Sequence, residues 1–95
     1  MDRAKLLDRL AAICGAPDIR EFYGTATSVE FATATFWPRD LPSLDACVHA
    51  VDGADGNAKP TEIRKGWLGN PRGGAGRYGW HVVVFCDLDE ARRIR

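Results

Sequence analysis

The residues best equipped for chemistry in this 95-residue chain crowd into one stretch, Gly66–Gly79. Six of its fourteen residues are glycine, Arg72 and Arg77 lie among them, and Trp67 and Trp80 stand at its flanks. Backbone amides bared by glycine, together with guanidinium groups, suit an anion. Tryptophan and arginine are also enriched at the energetic centres of protein–protein interfaces. Within the stretch, Gly74-Ala75-Gly76-Arg77-Tyr78-Gly79 has the GxGxxG spacing of a dinucleotide site. That chemistry needs a helix to open after the motif, so that its N-terminus meets the pyrophosphate. Here three consecutive valines, Val82 to Val84, follow instead, and they predict a strand. There is no GxxxxGK[ST] phosphate loop either. The candidate binding set, for a partner or an anion, is Arg64, Lys65, Trp67, Arg72, Arg77, Tyr78 and Trp80.

The other reactive side chains are Cys14, Cys47, Cys86, His49 and His81. Zinc requires ligands converging at about 2.0–2.3 Å. His81 and Cys86 differ by an odd number along a predicted strand, so they point to opposite faces. Cys47 and His49 lie about 200° apart on a helix. Neither pair chelates on regular backbone; an enzyme that uses Cys47 or Cys86 with His49 or His81 is the third expectation, with no motif around any of them. No serine occupies a GxSxG turn. No metal, no cofactor and no catalytic residue is assigned, which favours a non-enzymatic protein.

These residues must be positioned by one small domain, residues 1–95. The net charge is zero, but residues 1–59 carry 6 basic and 9 acidic side chains, and residues 60–95 carry 7 and 4. That mild polarity gives the C-terminal part its basic character without marking a nucleic-acid binder. The longest apolar runs, at 11–14 and Val82–Cys86, are far below the roughly 18–20 residues that span a bilayer. The polar start, Met1-Asp2-Arg3-Ala4-Lys5, is not a signal sequence. Three widely spaced cysteines do not form a secreted disulfide framework. A cytoplasmic location without membrane attachment is the expectation.

Leu6, Leu7, Leu10, Ile13 and Cys14 recur at helical spacing between Asp2, an N-cap, and Gly15, a C-terminal stop followed by Pro17. Residues 17–24 favour one helical turn, with a short strand carrying Ile19, Glu21 and Tyr23 as the alternative. Ser28–Trp37 alternates β-branched and aromatic residues and predicts a strand. Leu41, Leu44, Cys47, Val48 and Val51 predict a second helix behind Asp40 and Pro42, although Ala46–Val51 also alternates like a strand. After the turn-rich Asp52–Pro60 come strands at Thr61–Trp67 and Tyr78–Cys86, the latter apolar on both faces and so expected mid-sheet. Asp87 and Glu90 form a capping box for a terminal helix. No internal repeat is visible. The expected fold is α+β in the order α-β-α-β-β-α, with a small mixed sheet of three to four strands. It is related to a ferredoxin-like sheet but lacks the last strand. A right-handed crossover should join the strands flanking the second helix. The vacant edge would be filled by residues 18–24 or by a second copy of the chain.

Gly76-Arg77-Tyr78-Gly79-Trp80-His81, with Phe85 and the helix after Asp87, resembles the third strand and following helix of the RNA-recognition motif. The resemblance covers about twenty residues and implies a strand whose basic and aromatic side chains stack bases. The chain departs from it where the basic and glycine positions are exchanged, where Val83 replaces an aromatic, and in the missing strand. The leading expectation is therefore a small accessory or regulatory protein that binds another macromolecule, most simply a protein. Single-stranded nucleic-acid binding is the alternative, with Trp67, Tyr78 and Trp80 stacking and Arg64, Lys65, Arg72 and Arg77 meeting phosphates.

Overall fold

A computed structural model describes residues 1–24, 30–56, 61–69 and 73–95. The elements are α1 (Arg3–Cys14), β1 (Asp18–Tyr23), β2 (Glu30–Phe36), α2 (Leu41–Asp52), β3 (Thr61–Leu68), β4 (Arg77–Cys86) and α3 (Leu88–Arg93). Three helices and a four-stranded sheet make the α+β domain that periodicity led us to expect.

The helices begin and end where their capping residues dictate. The Asp2 carboxylate accepts from the Lys5 amide at 2.9 Å, and Asp40 accepts from Ser43 at 2.8 Å, each satisfying an otherwise orphaned donor. Both helices run twelve residues and stop at glycine, with the Gly15 and Gly53 amides donating back to Ala11 and His49. Leu6, Leu7 and Leu10 are fully buried along one face of α1. In α3 the Asp87–Glu90 capping box is formed in both directions. Glu90 also accepts from Arg3 Nε at 2.9 Å, and this bond holds its carboxyl well below the usual range, at about 2.

The strand order is β1-β2-β4-β3, and every neighbouring pair is antiparallel. β2 and β3, which flank α2, do run parallel to one another, but β4 lies between them, so no parallel ladder forms. This insertion is the split βαβ arrangement. The vacant edge is filled from within: residues 18–23, expected to form a helical turn, are a strand paired along β2 from Asp18↔Thr35 to Tyr23↔Glu30. The physical reason is tertiary. Glu21 holds β1 to the C-terminal end through Arg92 and Arg95, at 3.1 and 3.2 Å, and Ile19 packs on the core. A six-residue pattern cannot advertise either contact.

Before α3, the chain therefore consists of two helix–hairpin units, α1-β1-β2 and α2-β3-β4, whose inner strands β2 and β4 join them. Asp2 with Gly15 and Asp40 with Gly53 keep the same spacing, yet the strands differ in length, which hides the repeat in the sequence. β4 is central and buried on both faces. Val82, Val84 and Cys86 meet the helices together with Ala32, Ala34 and Phe36, while His81 and Val83 are buried on the opposite side. Each fully buried valine contributes about 1.5–3 kcal/mol. α1 and α2 meet near Cys14 and Cys47, whose sulfurs lie 3.4 Å apart.

Candidate functional site

β2 pairs with β4 only over Val82–Cys86, whereas β3 pairs with β4 from Thr61↔Val84 to Leu68↔Arg77. Beyond Phe36, then, β3 and β4 continue as a two-stranded ribbon. Gly66 and Gly79 oppose each other in its register, and a glycine pair leaves one face of the ribbon bare where it must bend. The ribbon end comes back across the open face of the sheet: the Gly69 carbonyl accepts from Arg20 Nη2 of β1 at 3.4 Å. A Cβ at Gly76 would come within 2.7 Å of the Leu68 carbonyl oxygen, so the two ends of the ribbon close only around glycine.

This curl divides the residues singled out in the sequence. Ile63 packs on the core, and strand alternation puts Lys65 and Trp67 on its side, with Tyr78 and Trp80 opposite them in register. Trp67, Tyr78 and Trp80 are 72%, 56% and 39% exposed, and the Trp67 and Tyr78 rings lie 5.7 Å apart. These four residues form the convex face of the ribbon. Arg64 and Arg77 belong to the concave face. Arg72 lies outside the described residues. The set that the sequence grouped together thus occupies two surfaces.

The concave face carries residues that the sequence did not single out. A groove of about 880 Å³ opens between β1 and the curled ribbon, floored by Phe22, Val83 and Phe85 and rimmed by Arg20 and Arg77. Phe22 stacks on Phe31 at 4.7 Å, and Phe31 on Phe85 at 6.3 Å. Trp37 is the hinge pin of this face. Its indole N–H donates to Asp18 at 3.0 Å, the Arg77 guanidinium lies 4.5 Å over its ring, and His81 sits 4.8 Å away. His81 is fully buried. With Nδ1 donating to the Gly79 carbonyl at 3.1 Å, its Nε2 has no partner among the described residues. The missed signal was the strand at 18–23. Read as a strand, it sets Asp18, Arg20 and Phe22 on one face, next to Thr35, Thr33 and Phe31 of β2.

The cysteines stand apart from both surfaces. Cys86 points into the core and His81 away from it, on opposite faces as their odd spacing requires. Burial pushes the Cys86 thiol up to about 11 and the Cys47 thiol up to about 12. Cys47 is buried while His49 is largely exposed and paired with Asp45. Among the described residues, no three or more His, Cys, Asp or Glu side chains gather as metal ligands, and no helix is long and apolar enough to cross a membrane. No family model matches the chain, and no curated protein or solved structure matches it either.

Proposed function

We propose that the protein is a small non-enzymatic accessory protein that works by binding a protein partner through the convex face of the β3–β4 ribbon. The observation that carries this reading is the joint exposure of Trp67, Tyr78 and Trp80 beside Lys65. Aromatic side chains combine large apolar bodies with one polar tip and few rotamers to lose, which makes them efficient contact residues. Three of them side by side on a protruding ribbon suit an apolar recess on a partner, with a carboxylate at its rim for Lys65. Nucleic-acid binding by the same residues is less well supported, because Arg64 and Arg77 face the groove and leave Lys65 as the described cation beside the aromatics. A reducing, cytoplasmic setting suits three free thiols. The edge of β3, which no strand pairs among the described residues, also offers a second copy a place to add a strand.

The test uses the tagged chain to capture its partner, followed by affinity measurement with the purified partner. Trp67→Ala and Trp80→Ala should each weaken the complex about tenfold or more, and Trp67→Ala should leave the melting temperature of the free protein unchanged. A complex indifferent to both substitutions would contradict the reading. So would tight, steeply salt-dependent binding of single-stranded oligonucleotides that these substitutions abolish.

A further inference from the structure

We infer that the concave groove is a separate small-molecule site, taking an organic anion with a planar apolar body. Its size is the first support: about 880 Å³ lies within the range of roughly 300–1,000 Å³ typical of ligand pockets. Its chemistry is the second. The floor is apolar and partly aromatic (Phe22, Val83, Phe85), whereas the rim is cationic. Of the four arginines that line the groove, Arg64 is paired with Glu62 and Arg95 with Glu21. Arg20 and Arg77 have no carboxylate partner among the described residues. Arg20 donates to a backbone carbonyl, and Arg77 lies on the face of Trp37. Two guanidinium groups at one rim, neither in an ion pair among the described residues and both above an aromatic floor, complement a ring that carries a carboxylate or a phosphate. The carboxylate that shares the Arg20 face of β1, Asp18, is engaged by the Trp37 indole.

The geometry also explains why such a ligand would be held on this face and not on the convex one. Arg77 is fixed by its contact with Trp37, and Trp37 by its hydrogen bond to Asp18. The cation is therefore positioned before the anion arrives, which lowers the ordering cost of binding. On the convex face the aromatic rings are open to solvent, and Arg77, one register position from the Trp67↔Tyr78 pair, belongs to the opposite face of the ribbon.

The test takes the full chain with Trp67→Phe and Trp80→Phe, which leaves Trp37 as its one tryptophan. The single indole N–H cross-peak in a proton–nitrogen correlation spectrum then reports the groove directly. Naphthoate and adenosine monophosphate are titrated as the carboxylate and phosphate probes, with naphthyl methanol and adenosine as their neutral counterparts. The Trp37 peak should shift saturably with at least one anion, and its neutral counterpart should bind about tenfold more weakly or not at all. Whichever anion binds better identifies the acid group preferred. Arg20→Met and Arg77→Met should each reduce affinity about tenfold. The cation over the Trp37 ring is Arg77, whereas Arg20 donates to the Gly69 carbonyl, so the Arg20 variant keeps the test sound if Arg77→Met disturbs the reporter. Arg9→Met, which removes an exposed arginine of α1 away from the groove, should leave the affinity unchanged. Three results would overturn the inference: no shift with either anion at millimolar concentration, equal binding of the neutral compounds, or indifference to both arginine substitutions. Affinity that climbs with oligonucleotide length and greatly exceeds that of the mononucleotide would replace it with a nucleic-acid surface.

Discussion

The two faces of the β3–β4 ribbon are built from alternate residues of the same two strands, yet they do opposite things. On the concave side Trp37 is 8% exposed, hydrogen-bonded to Asp18 and covered by Arg77; on the convex side Trp67 is 72% exposed. One tryptophan fastens the ribbon to the sheet, and the other has no such duty. Trp67, Tyr78 and Trp80 together leave a run of aromatic surface open to solvent, and the proposed partner reading rests on that contrast.

The sharpest way to break the contrast is Trp37→Ala. Removing a buried indole that joins β1, β2 and β4 should lower unfolding stability by about 3–4 kcal/mol, read from urea denaturation. A loss below about 1 kcal/mol would mean that the ribbon is not held by this residue. Acid titration probes the helix layer, through the ion pair between α1 and α3. Glu90 is held near 2 in the folded protein by Arg3 and the Asp87 amide, against an ordinary value of 4.5. A depressed carboxylate stabilises the fold fully above its unfolded value and loses that contribution as pH falls toward the folded one. Stability should therefore decline between about pH 4.5 and 2. Glu90→Gln should flatten that decline while costing about 1–2 kcal/mol at neutral pH, after allowance for solvent screening of the pair. An unchanged acid limb in the variant would remove Glu90 from the account. The smallest effect belongs to the convex face: Trp67→Ala should alter stability by no more than about 0.5 kcal/mol. A larger loss would show that the indole packs against the protein after all.

Much of this architecture is legible in the sequence because it is written in local signals. Asp2, Asp40 and Asp87 cap helices by hydrogen bonds within one turn, and Gly15 and Gly53 end two of them. The valines of β4, apolar on both faces, announce a central strand. The vacant sheet edge follows from the order of elements, and residues 18–23 fill it. Other features depend on contacts between distant residues and leave no local trace. β1 is a strand because β2 and the C-terminal arginines receive it, not because its six residues alternate strongly. The separation of Arg64 and Arg77 from Lys65, Trp67, Tyr78 and Trp80 is a parity effect that a list of nearby residues conceals. The groove requires the ribbon to curl back, which depends on Gly66 meeting Gly79 across the ladder and on Gly69 reaching Arg20.

The most direct measurement of the account compares two double variants against the same purified partner: Trp67→Ala with Tyr78→Ala on the convex face, and Arg20→Met with Arg77→Met on the concave face. Convex-face recognition predicts that the aromatic pair weakens the complex by about thirtyfold or more, equivalent to about 2 kcal/mol, while the arginine pair leaves it within about twofold. Equal losses in both variants, or a loss confined to the arginine pair, would contradict it.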